Sequence, residues 1–254
     1  MIAIDLKGKT ALITGASGEL GRVMTRTLAK AGADVIIHYH RNKEMAEKLA
    51  KEVEAFNVKA IIVQADVGDF NSVLAMKEFI EKNFKMPDII VNNAVSSYSW
   101  TNILDQQLED FESQFKSCVM QNVNMAKVFV PYMKENKFGR VIAINTECAM
   151  QCFENQGAYV SGKRGMDGIL RVLAKEVGPF NITVNQVAPG WTISDRDREN
   201  HSEVQPESDK RIPLRRRGTD QEVANAVLFL ASDLADYVTG VYLPVSGGTV
   251  MPTI

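Results

Sequence analysis

The stretch Thr10-Ala-Leu-Ile-Thr14-Gly15-Ala-Ser17-Gly18-Glu19-Leu20-Gly21 decides the fold. It begins as a short β-branched and apolar run, passes through three glycines, and gives way to helical spacing near 20–31. Glycines let the backbone turn tightly and approach a bound group closely. The helix that follows supplies N–H groups and positive potential to a pyrophosphate. A glycine-rich turn alone is weak evidence; its place after the first strand of a longer pattern gives it weight.

That pattern extends along the whole chain. Strands are expected at Thr10–Thr14, Val35–His38, Ala60–Val63, Ile89–Val91, Val141–Ile144, Thr183–Val187 and Val241–Val245. Helices are expected near 20–31, 42–56, 70–84, 107–134, 157–177 and 220–231. Several of the strands are almost continuously apolar, as when helices cover both faces of a parallel sheet. The alternation predicts an α/β fold, a Rossmann-type doubly wound parallel sheet, in a single domain over 1–254. Residues 191–217 stand apart: charged, weakly periodic and interrupted by Pro206 and Pro213, they read as a substrate lid.

Composition excludes several classes. A net charge of −2 leaves no global footprint for nucleic acid or an anionic membrane surface. No apolar run approaches the length of a membrane span, and the first residues lack the form of a signal peptide, so a cytoplasmic protein is expected. Cys118, Cys148 and Cys152 are too few for a disulfide scaffold, and no Cys/His cluster has zinc spacing; no metal is expected.

The catalytic candidate is the pair in Tyr159-Val-Ser-Gly-Lys163. Residues at i and i+4 share a helix face, so the lysine can approach the phenol, and a neighbouring cation favours the phenolate.

With the glycine loop, Asp66-Val67, Asn92-Asn93-Ala94, Ile182-Thr-Val-Asn185, Pro189-Gly190 and Thr239-Gly240, this pair makes the chain resemble the short-chain dehydrogenase/reductase family over essentially its full length. The resemblance implies hydride transfer between a nicotinamide cofactor and a carbonyl or secondary alcohol. Tyr159 would exchange the proton, and Lys163 would tune it and bind the ribose. Thr146 would stand where the family has a serine, and Cys118 where it often has a relay asparagine, with Asn122 one turn further on. It implies cofactor contacts from Gly15, Ser17, Gly18, Leu20, Gly21, Asp66, Val67, Asn93, Ala94, Pro189, Gly190 and Thr192. The middle glycine sits one place early, leaving Glu19 in its usual position, where a carboxylate turned toward the pyrophosphate would repel it.

At the end of the second strand, NAD enzymes usually carry an acid; here Tyr39 stands there and Arg41 follows. Arg41 can pair with a phosphate, so NADP is expected, with NAD as the alternative. The expected substrate is a small carbonyl or alcohol, polar or carrier-bound. A homotetramer is implied through helices 107–134 and 157–177, with Val119, Val123, Leu170 and Leu173 as candidate contacts. The rival reading is a catalytically weakened nucleotide-binding protein that regulates or docks.

Overall fold

The computed structural model describes residues 4–252. Seven parallel strands form one sheet in the order β3-β2-β1-β4-β5-β6-β7. They are β1 (Thr10–Ile13), β2 (Asp34–Tyr39), β3 (Ala60–Gln64), β4 (Ile89–Asn92), β5 (Gly139–Ile144), β6 (Ile182–Pro189) and β7 (Tyr242–Val245). Every residue of β1, β4 and β5 is buried, which is why these strands read as continuous apolar runs rather than alternating ones. The order reverses between β1 and β4, and the carboxyl ends of strands at such a switch point open onto a crevice.

On one face of the sheet pack α1 (Glu19–Lys30), α2 (Lys43–Glu54) and the later helix Asp220–Ala231. On the other lie α3 (Phe70–Asn83), α4 (Leu108–Gln114), α5 (Gln121–Asn136) and the long helix Gly157–Val177. Several starts are written locally. Asn42 accepts the Met45 N–H, Asp69 accepts the Ser72 N–H, and Thr219 with Glu222 forms a capping box. In chain order the remaining helices are α6 (Cys148–Gln151), α7 (Gly157–Val177), α8 (Asp195–Glu199), α9 (Pro206–Asp209) and α10 (Asp220–Ala231). Among the described residues no helix is long and apolar enough to cross a membrane.

The helix expected over 107–134 is not continuous. A π-helical turn, Phe115–Met120, separates α4 from α5. Such turns are wider than an α turn and concentrate near functional sites. Helix α7 meets it closely: a Cβ on Gly162 would stand 2.8 Å from the Gln114 carbonyl oxygen and 3.2 Å from the Cys118 Cβ. This contact fixes the α7 turn that carries Tyr159 and Lys163. The candidate assembly contacts differ in exposure. Val119 and Leu170 belong to the core, Leu173 packs against it and Val123 is half-buried; Leu108, Phe115, Ile169 and Val172 are the exposed large apolar side chains on these helices.

Candidate active site

A cleft of about 1100 Å³ crosses the carboxyl ends of the strands. Its walls include Gly15, Ser17, Gly18, Leu20, Gly21, Arg41, Asp66, Val67, Asn93, Ala94, Thr146, Tyr159, Lys163, Pro189 and Gly190, gathering most of the residues singled out by sequence. Gly15 has φ +62°, in the left-handed region glycine tolerates. Gly21 is demanded by space, since a Cβ there would lie 2.3 Å from the Gly15 carbonyl oxygen. Gly18 caps α1 without a side chain, leaving the first N–H groups of that helix beside the cleft. This open helix end and its tight glycine cradle suit a dinucleotide pyrophosphate.

Two side chains hold the cradle, half-buried Asn93 and buried His38. Asn93 donates to the Thr14 and Gly15 carbonyls at 2.9 and 3.2 Å. His38 accepts the Gly15 N–H on Nδ1 at 3.0 Å and donates from Nε2 to the Ala65 carbonyl at 3.0 Å, which fixes its neutral tautomer. Burial pushes its pKa down from 6.5 to about 4. The unfolded chain therefore binds the extra proton more readily. The stabilisation is complete above the unfolded value and is lost as pH falls from about 6.5 through about 4. A shift of this size corresponds to about 3 kcal/mol. We expect wild type to lose about that much more than His38→Gln between pH 7 and pH 4, measured by urea unfolding at one protein concentration. Parallel pH curves would refute it.

Three expected contacts fall elsewhere. Tyr39 is not at the cleft: it shares strand parity with Val35 and Ile37 and packs with them in the core under α1 and α2. His40, Arg41 and Asn42 line that end of the cleft instead. Cys118 is 1% exposed within the core cluster, and among the described residues its side chain hydrogen-bonds only Gln114, at 3.8 Å. Thr192 lines a small neighbouring cavity with Glu19, Asp195 and Arg198. Sequence reasoning missed His38, His40 and Lys116 as cleft residues. The parity of β2 would have found the first; Lys116 depends on the π turn, which has no sequence signal.

The Glu19 carboxylate, expected to threaten the pyrophosphate, instead accepts the Asp195 N–H at 2.6 Å. Arg22 pairs with Asp195, and Arg198 bridges Asp195 and Asp220 at 3.1 and 2.8 Å. The 191–217 segment is thereby tied to the glycine loop. Its own interior is built on Arg217, whose side chain is buried over the Trp191 ring, 3.1 Å from Asp197, and donating to the Ser202 and Glu203 carbonyls. Arg216 beside it pairs with Glu222.

At the inner end of the cleft, Tyr159 and Lys163 project from the first turns of α7, and Thr146 follows β5. Burial is the main influence on the phenol and pushes the Tyr159 pKa upward, while the nearby Thr146 hydroxyl acts the other way and favours its ionisation. Lys163 stands one turn along α7 from Tyr159. Its Nζ lies 5.7 Å from the ring centre and donates to the Ile144 carbonyl at 2.6 Å, and burial pulls its own pKa down. The phenol is therefore protonated at neutral pH.

The family described as enoyl-(acyl carrier protein) reductase matches residues 15–250. The chain belongs to the short-chain dehydrogenase/reductase family. Its members are NAD(P)-dependent oxidoreductases. It is 36% identical to the 3-oxoacyl-(acyl-carrier-protein) reductase FabG of Pseudomonas aeruginosa over 252 residues, covering 98% of this chain and 100% of that one. It is 33% identical to the corresponding Staphylococcus aureus reductase over 253 residues, covering 96% and 98%. A 7α-hydroxysteroid dehydrogenase solved with NADH and 7-oxo glycochenodeoxycholic acid superposes with a TM-score of 0.86 at 31% identity, covering 96% of this chain and 95% of that one. A putative gluconate dehydrogenase from Agrobacterium tumefaciens gives 0.90 at 24% identity, over 98% of each chain, a likeness of fold alone.

Proposed function

We propose that this chain is an NADP-dependent oxidoreductase interconverting a carbonyl and a secondary alcohol, with Tyr159 as proton donor and acceptor. The observation that carries the reading is the convergence of Thr146, Tyr159 and Lys163 at one end of the cleft whose other end holds Arg41. When bound, the nicotinamide exchanges the hydride with the substrate carbon. Tyr159 gives its phenolic proton to the oxygen in reduction and takes it back in oxidation. Thr146 holds the same oxygen and orients the phenol. Lys163 binds the nicotinamide ribose, and Pro189-Gly190 face the ring. Asp66 and Val67 flank the adenine. Residues 191–217 act as the lid, and their mixed charges favour a polar or carrier-bound substrate in a cytoplasmic setting. The exposed Phe115, Ile169 and Val172 support assembly into a homotetramer through the α4–α5 and α7 faces.

Cofactor choice turns on Arg41, exposed at the mouth of the cleft with no acid at the strand end to repel a 2′-phosphate. Charge-assisted hydrogen bonds of this kind contribute about 1.5–3 kcal/mol. A panel of carbonyls and alcohols followed by nicotinamide absorbance with both cofactors tests the reading. Turnover is expected with NADPH. Arg41→Ala should weaken NADPH binding about 10- to 150-fold while changing NADH binding little. Equal binding of the two cofactors by wild type would remove the preference. Binding without turnover on any substrate would favour the weakened, regulatory reading, which the buried Cys118 supports.

A further inference from the structure

The loop joining β4 to α4 makes a contact that the proposed reaction leaves unused. Tyr98 lays its ring on that of Tyr159, with centroids 4.5 Å apart and planes 9° from parallel. Trp100 stacks on Tyr98 in turn, at 5.9 Å and 17°. The two tyrosines come from segments distant in sequence, so only the folded chain brings them together.

The loop is built to hold this stack. Gln106 is buried, donates to the Ser99 carbonyl at 3.0 Å and accepts the N–H of Ala158, the residue before Tyr159, at 3.1 Å. Gln114 is fully buried and donates to the Ser96 carbonyl at 2.9 Å. Tyr98 is therefore clamped on both sides by side-chain amides, one of which also grips the helix start carrying Tyr159. Offset stacking of this geometry is favourable beyond the area it buries.

We propose that Tyr98 is a positioning residue for Tyr159: its ring covers one face of the phenol, holds its plane and keeps water off it. The hydroxyl edge is left to Thr146 and the substrate oxygen. This rests on the reading of Tyr159 as the proton donor. The titratable groups facing Tyr159 are Lys163 from its own helix, Tyr98 from the loop, Cys148 after β5 and Cys118 from the π turn. Of these, Tyr98 supplies the stacked cover. Burial is the main cause holding the phenol's pKa up.

The test compares Tyr98→Ala and Tyr98→Phe with wild type and Tyr159→Phe, by kcat against pH in the reductive direction. The tyrosine variants are also titrated by phenolate absorbance. Tyr98→Ala should lower kcat about 10-fold or more, since small losses of alignment are costly. It should also move the high-pH limb and the phenol's titration to lower pH, while cofactor affinity holds. Tyr98→Phe keeps the ring and should keep the wild-type profile. If Tyr98→Ala retains wild-type kcat and limb while Tyr159→Phe is inactive, the positioning role alone is overturned. If Tyr98→Phe falls as far as Tyr98→Ala, the hydroxyl acts rather than the ring, and the proposal is likewise wrong. A Tyr159→Phe protein that turns over normally overturns the underlying reading, whatever the phenol's titration shows.

Discussion

Replacing Tyr159 with phenylalanine is expected to lower kcat by about 10²–10⁴-fold, the range a positioned general acid supplies, with cofactor binding nearly unchanged. The argument is local. The hydroxyl lies with Thr146 at the inner end of the cleft, and burial keeps it protonated at neutral pH, ready to donate. Phenylalanine preserves the ring, and with it the stack on Tyr98, so helix α7 and the cleft wall remain as they are. Only the transferable proton is lost, and hydride delivered to a carbonyl without it would leave an alkoxide in an apolar setting. The effect should therefore fall on kcat and kcat/KM together, as for an interaction made in the transition state. Lys163→Ala should differ by also weakening the cofactor. Parallel measurements of kcat and NADPH fluorescence check both. A Tyr159→Phe enzyme with most of the wild-type kcat would place the acid elsewhere.

What sequence revealed and what it hid follow from how local each cause is. The glycine turn was legible because backbone chirality and close approach restrict Gly15 and Gly21 whatever surrounds them. The strands were legible because the sheet is covered on both faces, and the start of α10 because Thr219 and Glu222 make a capping box within four residues. Tyr39 was misplaced although its period was available: residues two apart on a strand share a face, and Ile37 is wholly buried. The π turn, the buried Arg217 and the Tyr98 stack left no such trace. Each is set by partners far along the chain, Gly162 for the first, Asp197 and Trp191 for the second, Tyr159 for the third.

The position of Cys118 gives the second large expectation. Asn122, one turn further on, is buried and fully engaged: it accepts from Asn92 Nδ2 at 2.8 Å and donates to the Cys118 carbonyl at 2.6 Å. Asn122→Ala would strand both partners, at about 1–3 kcal/mol each, so a stability loss of about 2–6 kcal/mol is expected. Cys118→Ala removes only a long sulfur contact to Gln114 and should cost far less. Cys118→Asn must fit an amide against Gly162, where even the thiol-bearing Cβ lies in a close helix contact, so restoring the relay residue should destabilise rather than repair. Thermal unfolding of the three variants, followed by kcat against pH for those that fold, separates packing from proton supply. Cys118→Ala should keep the wild-type pH profile. If it instead loses activity more steeply than Asn122→Ala, the thiol takes part in resupplying the Tyr159 proton, and its burial serves chemistry rather than packing.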